Sequence, residues 1–289
     1  MLKKLLILSG KGGTGKTTTA AALIRFSQAR AMADCDVDAP NLHIVNEVQG
    51  APERSDFFGS DKAGIDPAKC IGCGVCMEHC RFHAIEKRED GTCAVLEHAC
   101  EGCGVCQYVC PAGAVELKEA VAGQLTLYKG ERVFSTAKLK MGCGNSGKLV
   151  SQVKLNLFKA ATETELAIID GSPGIGCPVI ASVTGVDLVL VVAEPSLSGL
   201  SDLQRIVDTA ATLRTPLAVC VNKYDTCPEK TEQIEAFCRE RELPFVGRVP
   251  YDATASAAIN RGESVADVDC PAGRALRQVY ERVHQILFP

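Results

Sequence analysis

Two runs of cysteines are the most conspicuous reactive groups in this sequence. Eight of the 16 cysteines share a C-x2-C-x2-C-x3-C spacing that occurs twice along the chain. The first run is Cys70, Cys73, Cys76 and Cys80, and the second is Cys100, Cys103, Cys106 and Cys110. Thiolates this close together reach successive irons of a cubane, so the spacing predicts two [4Fe–4S] clusters. Zinc is the alternative metal, but zinc sites rarely use four closely spaced cysteines twice over.

This spacing is that of the bacterial two-cluster ferredoxins, in which the fourth cysteine of each run ligates the other cluster. The same crossing here assigns Cys70, Cys73, Cys76 and Cys110 to the first cluster, and Cys80, Cys100, Cys103 and Cys106 to the second. The second run ends Cys110-Pro111 as in those ferredoxins, whereas the first ends Cys80-Arg81. We therefore expect a different local turn after Cys80, with the ligand retained.

A glycine-rich loop near the start of the chain is the second candidate site. Gly10–Thr17 fits G-x-x-x-x-G-K-T, follows a predicted strand at Lys3–Ser9 and opens a predicted helix at Lys16. In such a loop, backbone N–H groups and the helix N-terminus hold phosphates, the lysine reaches the outer phosphates, and the threonine hydroxyl meets Mg²⁺. The predicted phosphate-binding residues are Gly10, Lys11, Gly12, Gly13, Thr14, Gly15, Lys16, Thr17 and Thr18.

The segments around these sites predict an α/β fold. Apolar segments at Leu166–Ile169, Val186–Ala193 and Leu217–Val221 alternate with helix-length stretches, which indicates βαβ units and a parallel sheet. A hairpin is predicted around Lys129–Gly130. Apolar residues at helical spacing over Gly273–Phe288 favour a terminal helix docked on the core over a membrane-surface helix.

Composition excludes several classes of protein. Hydrophobic residues make up 46% and charged residues 23% of the chain, as in ordinary folded globular proteins. No apolar run approaches the roughly 18 residues of a membrane span. A net charge of −4 argues against nucleic-acid binding through bulk positive charge. The short apolar start leads into the glycine loop, so we expect a first β-strand, not a signal peptide, and a cytoplasmic protein.

The phosphate loop resembles that of the MinD/ParA ATPases, a family that includes the nitrogenase iron protein and Mrp-type iron–sulfur carriers. The distinguishing residue is the early lysine, Lys11, which in that family reaches the partner's nucleotide across a dimer interface. Asp34–Leu42 looks like the family's acidic box, and Ile168–Gly174 looks like its Walker B motif and second switch. Val221–Lys223 and Val249–Asp252 lie where the family contacts the base.

The resemblance implies a role for each matching residue. Asp36 would position the attacking water, and Asp34 and Asp38 are secondary candidates whose other role is to cap or solvate the loop. The implied catalytic residues are Lys11, Lys16 and Asp36, the implied Mg²⁺ ligands are Thr17, Asp36 and Asp170, and the implied base contacts are Asn222, Pro250 and Tyr251.

Cys143 and Cys177 have two interpretations. In the nitrogenase iron protein, two cysteines at similar places relative to the second switch bind one bridging cluster with their symmetry mates, which implies a third cluster at a dimer interface here. The simpler interpretation is that Cys177 packs under the switch and Cys143 is a small loop residue. The other cysteines outside the runs are interpreted as small core or surface residues, namely Cys35, Cys93, Cys220, Cys227, Cys238 and Cys270.

The domain prediction is a P-loop ATPase, in two parts at 1–60 and 119–289, with an inserted two-cluster ferredoxin domain at 61–118. The predicted fold class is a doubly wound, mostly parallel α/β sheet with a small inserted ferredoxin-like α+β domain.

The predicted function is that of an ATP-binding, Mg²⁺-dependent ATPase with two [4Fe–4S] clusters that forms a homodimer on binding ATP and reopens with ADP. It would couple ATP to electron transfer to a redox or metal-cofactor protein, in metal-cofactor or iron–sulfur maturation. One alternative is a cluster carrier or scaffold with ATP-gated release. Another is a ParA-like positioning ATPase with structural clusters. We expect neither nucleic acid nor membrane as a partner.

Overall fold

The computed structural model describes residues 2–46, 48, 50–162 and 164–289. The chain divides into two compact units. The first unit comprises Met1–Arg54, Leu125–Ala137 and Gly147–Pro289, and the second comprises Ser55–Gln124 and Lys138–Ser146.

Strands and helices are numbered in chain order. The strands are β1 Lys3–Leu8, β2 Ala31–Asp34, β3 Pro52–Phe58, β4 Lys62–Ile65, β5 Ile85–Lys87, β6 Cys93–Val95, β7 Val115–Lys118, β8 Val121–Tyr128, β9 Val133–Leu139, β10 Leu166–Asp170, β11 Leu188–Ala193, β12 Leu217–Asn222 and β13 Phe245–Val249. The helices are α1 Lys16–Ser27, α2 Leu42–Val45, α3 Val75–Glu78, α4 Val105–Tyr108, α5 Ser146–Ala160, α6 Cys177–Val183, α7 Leu197–Thr212, α8 Pro228–Glu240, α9 Ala253–Asn260 and α10 Pro271–Leu287, with 3₁₀ turns at Tyr224–Thr226 and Val265–Asp267.

A nine-stranded sheet has the order β13-β12-β11-β1-β10-β2-β9-β8-β3. The pairs from β13 to β9 are parallel. Every residue of β11 is buried, as are Leu5–Leu8 of β1, which is the pattern of parallel strands covered on both faces. The predicted α/β fold with a mostly parallel sheet is therefore confirmed.

The sheet register brings three functional segments to one edge. Ile7 at the end of β1 is in register with Asp170 at the end of β10, and Asp170 is in register with Asp34 at the end of β2. Parallel strands bind ligands at their carboxyl ends, where the chain turns into loops. The glycine-rich loop after β1, Asp170 and the aspartate-rich segment that begins at Asp34 therefore meet because of strand order and not because of sequence proximity.

The last helix, α10, docks on the core as predicted. Its buried residues recur at helical spacing, and the helix packs against α1 and β13. They are Ala272, Gly273, Leu276, Val279, Val283 and Leu287. In the part of the chain that the structure describes, no helix has both the length and the apolarity to cross a bilayer.

The hairpin expected at Lys129–Gly130 joins β8 to β9, which are neighbours in the sheet. Strand β3 was not predicted from the sequence. It begins with Pro52 and is exposed along most of its length, which is typical of an edge strand. Its sequence therefore lacks the alternation of apolar and polar residues that usually predicts a strand.

The second unit repeats one strand–helix–strand pattern. The first copy is β4, α3 and β5, the second is β6, α4 and β7, and the copies exchange strands so that β4 pairs with β7 and β5 with β6, both antiparallel. Gly72 and Gly102 occupy equivalent positions in the two copies, and both allow another segment of backbone to approach closely. Gly72 and Gly102 have φ of +68° and +69°, and a Cβ there would lie 2.5 Å from the Gly91 oxygen and 2.0 Å from the Asp61 oxygen.

Lys154 on α5 is buried and donates to three backbone oxygens around the end of α6. Its Nζ lies 2.9 Å from the oxygen of Ala181 and 2.6 Å from those of Ser182 and Thr184. Burial lowers the pKa of Lys154 to about 8.

The substitution Lys154→Ala leaves these three backbone oxygens without their donor, so the free energy of unfolding in urea should fall by about 3 kcal/mol. Lys159→Ala, at an exposed position of the same helix, is the control and should change the free energy of unfolding little. Equal losses in the two variants would contradict a stabilising role for the hydrogen bonds of Lys154.

Candidate functional site

The phosphate loop is shaped by glycines and fixed by an amide from another strand. Gly13 and Gly15 have φ of +79° and +93°, a region that favours glycine. Asn222, at the end of β12, donates from Nδ2 to the Thr14 oxygen at 2.7 Å. A Cβ at Gly15 would lie 2.2 Å from that Nδ2. Since Gly15 is the N-cap of α1, it offers no side-chain acceptor to the first helical N–H groups, and an anion can take that role.

A buried ion pair joins the phosphate loop to β10. Lys16 Nζ lies 2.5 Å from Asp170 Oδ1, and Thr17 Oγ1 donates to Asp170 Oδ2 at 2.6 Å. Lys16 and Asp170 are 6% and 0% exposed. Burial raises the pKa of Asp170, while Lys16 acts to lower it. The predicted phosphate lysine and two of the predicted Mg²⁺ ligands thus form one contact group.

The acidic box is organised around Asp34. Its carboxylate accepts hydrogen bonds from the N–H groups of Asp36, Asn41 and Leu42 at 3.0, 2.8 and 2.9 Å. Burial, and then the charge of Asp170, raise the pKa of Asp34 to about 7. Asp34 therefore has the capping role that was its alternative interpretation.

Asp36 is half-buried, and burial is the largest cause of its raised pKa, with the charge of Lys16 opposing it. Asp38 is exposed. Of the three aspartates in the box, Asp36 thus combines partial access to solvent with electrostatic contact to Lys16.

Lys11 is held by an acidic residue within its own chain. Its Nζ forms an ion pair with Glu194 at 2.7 Å and donates to the hydroxyls of Ser196 and Ser198 at 3.5 and 3.3 Å. Glu194 also pairs with Lys223 at 3.4 Å, and the hydrogen bond from Lys11 is the largest cause of its lowered pKa. To reach a second protomer, Lys11 must leave Glu194.

The predicted base contacts line one cavity beside the loop. Asn222, Pro250 and Tyr251 border a space of about 190 Å³ together with Gly13 and Gly15. The adjoining loop is fixed by Asp225, whose carboxylate accepts from the N–H of Tyr251 at 2.7 Å. A pocket at the end of the phosphate loop is where a nucleoside attached to bound phosphates would extend.

The cysteine runs line two cavities in the second unit. Each cavity is bordered by three cysteines of one run and the fourth cysteine of the other. The first is bordered by Cys70, Cys73, Cys76 and Cys110, and the second by Cys80, Cys100, Cys103 and Cys106. Over the described residues, no three His, Cys, Asp or Glu side chains are grouped to hold a single metal ion. A cubane differs from a single ion in that each thiolate bonds a separate iron.

Backbone N–H groups point at the cysteine sulfurs in a repeated pattern. Ala84 N–H donates to Cys80 Sγ and Ala114 N–H to Cys110 Sγ, both at 3.3 Å. The N–H groups of His83 and Gly113 likewise donate to the oxygens of Cys80 and Cys110, both at 3.2 Å. The expectation of a different turn after Cys80 was therefore wrong. The N–H groups of Cys93 and Gly72 lower the pKa of the Cys70 thiol. Such N–H···S contacts stabilise thiolate and tune iron–sulfur centres.

Cys143 and Cys177 lie in different units. Cys143 is half-buried in the loop after β9, and Cys177 is exposed as the first residue of α6. Because Cys177 is exposed, the interpretation that it packs under the switch is wrong. Whether the pair binds metal stays a prediction.

Two acidic residues beside the phosphate loop, Glu194 and Asp202, were not predicted from the sequence. Glu194 directly follows β11. Asp202 lies on α7 and packs so close to Gly10 that a Cβ added to Gly10 would be 2.0 Å from the Cβ of Asp202. The available signal was that Glu194 directly follows a continuous apolar strand, and ligands bind at the carboxyl ends of such strands.

The raised pKa of Asp34 predicts a pH-dependent stability in the metal-free protein. Native Asp34 keeps its proton up to about pH 7, whereas the unfolded chain releases it near the ordinary value of 3.8. Unfolding therefore releases a proton between these values, and stability falls as pH rises from about 4 to 7. The free energy of unfolding in urea should be measured for the wild type and for Asp34→Asn. The wild-type free energy minus that of Asp34→Asn should fall by up to about 1.4 kcal/mol per pH unit over this range. The exposed Asp38→Asn is the control, and a difference for Asp34→Asn that stays constant with pH would refute the assignment.

Comparison with known proteins agrees with this geometry. The sequence model of the CobQ/CobB/MinD/ParA nucleotide binding domain matches residues 5–265. An uncharacterized protein of Methanocaldococcus jannaschii is 30% identical over 294 residues, which cover 99% of this chain and 98% of that protein. The iron-sulfur cluster carrier protein of Pyrococcus furiosus is 26% identical over 297 residues, covering 97% and 85%.

Among solved structures, the septum site-determining protein MinD of Pyrococcus horikoshii in complex with Mg-ADP has a TM-score of 0.59 at 16% identity. The match covers 99% of this chain and 97% of that chain, and at this identity it shows the fold alone. The chain therefore belongs to the CobQ/CobB/MinD/ParA nucleotide-binding family and has a P-loop ATPase fold like that of MinD.

Proposed function

We propose that this protein is a Mg²⁺-dependent ATPase that carries two [4Fe–4S] clusters and couples ATP-gated dimerisation to electron transfer to a partner protein. The partner would be a redox or metal-cofactor protein in metal-cofactor or iron–sulfur maturation. The observation that carries the proposal is the lining of the two cavities, each by three cysteines of one run and the fourth of the other, in a chain with a P-loop ATPase fold.

The residues at the nucleotide site fit ATP and Mg²⁺. Thr17, Asp36 and Asp170 offer the hydroxyl and carboxylate oxygens that Mg²⁺ prefers, and two of them are already in contact. Held by these residues, Mg²⁺ would neutralise negative charge on the bound phosphates. Lys16 would exchange the Asp170 carboxylate for phosphate oxygens, which keeps its charge paired while it stays buried.

The second unit offers a donor set suited to iron–sulfur clusters. Thiolates are the ligands that such clusters require, and the N–H···S contacts repeat in both halves of the unit. The two copies exchange strands, which supports a ferredoxin-like domain with crossed ligation in the segment predicted at 61–118.

Dimerisation would use the early lysine. Lys11 is 39% exposed and paired with Glu194, so a protomer can hold it in reserve while ATP is absent. When it leaves Glu194, its charge becomes available to phosphates bound on a second protomer. Charge stabilisation of this kind acts mainly on the transferring phosphate.

A second candidate function is that of a cluster carrier with ATP-gated release. The observation in its favour is the name of the Pyrococcus furiosus relative, iron-sulfur cluster carrier protein. The two functions differ in what happens to iron during turnover. An electron carrier keeps its iron in the presence of ATP and an apo-acceptor, whereas a carrier protein transfers it.

Lys11→Ala should bind Mg·ATP but hydrolyse it slowly, by at least about tenfold, because one charge-assisted contact to the transferring phosphate is lost. Lys16→Ala is the matched variant in the same loop. It should lose affinity by about 10–100-fold and keep its iron, since the sites lie in separate units. Calorimetry and phosphate release measure the two effects, and the wild-type rate per protomer should rise with protein concentration. A flat rate, or Lys11→Ala hydrolysis at the wild-type level, would argue against the dimer.

Crossed ligation can be tested by counting iron in double variants. Wild-type reconstituted protein should hold about eight irons per chain. If Cys110 belongs to the first cluster, Cys73→Ser/Cys110→Ser damages one cluster and keeps about four irons. Cys103→Ser/Cys110→Ser damages both. The reverse result, with more iron lost in the first double variant, would assign Cys110 to its own run.

A further inference from the structure

A fifth cysteine borders the first cysteine-lined cavity. Cys93 is 1% exposed and lines the same cavity as Cys70, Cys73, Cys76 and Cys110. It lies outside the two runs, and from the sequence it was interpreted as a small core or surface residue. Its side chain belongs to the same buried cluster as Cys76, and Cys70 packs against that cluster. Cys93 therefore shares both a cavity and a buried cluster with Cys76 and Cys70.

The internal repeat identifies the counterpart of Cys93 as Ala63. Cys93 N–H donates to Cys70 Sγ at 3.4 Å, and Ala63 N–H donates to Cys100 Sγ at 3.5 Å. Ala63 is 8% exposed and lines the second cavity. The two halves of the unit thus provide the same backbone contact, but one half adds a thiol where the other has a methyl group.

Cys93 is held in place by regular structure. It is the first residue of β6 and is in register with Lys87 of β5. A thiol on a paired strand has few alternative positions, so its place at the edge of this cavity, in one buried cluster with Cys76, is a stable feature of the fold. Filling space at this position does not require sulfur, because the equivalent position in the other half of the unit is occupied by Ala63.

We propose that Cys93 is a reserve ligand of the first cluster, able to take the iron otherwise held by Cys76. The inference rests on the proposed function, because it requires a cluster in this cavity. In the exchange, Cys93 Sγ gives up its proton and bonds the iron, the bond from Cys76 Sγ breaks, and that sulfur takes up a proton. No oxidation state changes. The first cluster would then survive loss of one ligand, and the second would not.

The experiment compares matched positions in the two halves. Cys76→Ala should keep about eight irons per chain and show no three-iron signal in the oxidised protein by electron paramagnetic resonance. The matched variant Cys106→Ala should lose a whole cluster or show the three-iron signal, because Ala63 supplies no thiol. Cys76→Ala/Cys93→Ala should behave like Cys106→Ala. Cys93→Ala alone should keep about eight irons, since the equivalent site naturally carries alanine.

Adding a thiol at Ala63, next to the second cavity, tests the same idea without changing Cys76. Ala63→Cys/Cys106→Ala should recover the iron that Cys106→Ala loses, and failure to recover it would overturn the proposal even where Cys76→Ala does not fold. Equal iron loss in Cys76→Ala and Cys106→Ala would also overturn it. If the wild-type protein binds no iron, the cluster assignment itself is wrong. If the wild-type protein binds the expected iron but the variants give the contrary results above, only the proposed role of Cys93 is wrong.

Discussion

The buried contact between Lys16 and Asp170 is the interaction on which the nucleotide site depends. It joins the first residue of α1 to the last residue of β10, and the register of β10 with β1 and β2 fixes what surrounds it. Removing one partner of such a pair leaves a buried charge and costs roughly 3–5 kcal/mol. A phosphate and Mg²⁺ can separate this pair because they offer each partner a new opposite charge.

The same constraint explains the acidic residues around the loop. Asp34, Asp36 and Asp170 gather at one sheet edge, and burial raises the pKa of each. Asp34 is held by backbone N–H groups, Asp170 by Lys16, and Asp36 is the most accessible of the three. Bound Mg²⁺ would relieve the repulsion among them, which links nucleotide binding to the local charge.

Sequence could predict what local spacing encodes. The phosphate loop, the cysteine runs, the strands β10 to β12 and helix α10 were all identified from contiguous patterns. It could not predict partners brought together by strand order, such as Glu194 for Lys11 or Asn222 for the Thr14 oxygen. Cys93 was missed for the same reason, since only the pairing of β6 with β5 and the internal repeat place it beside the first run. The edge strand β3 was missed because its exposed, charged residues lack apolar alternation.

We propose that nucleotide binding and iron–sulfur chemistry are coupled in one chain. Coupling between two sites is reciprocal, so it can be measured from either side. The most direct measurement is the affinity for Mg·ATP, determined by anaerobic calorimetry on the oxidised protein and on the dithionite-reduced protein. We predict that the two affinities differ by at least about fivefold, the lower range of coupling between linked sites. Equal affinities, in protein that holds both clusters, would contradict coupling between the nucleotide site and the clusters.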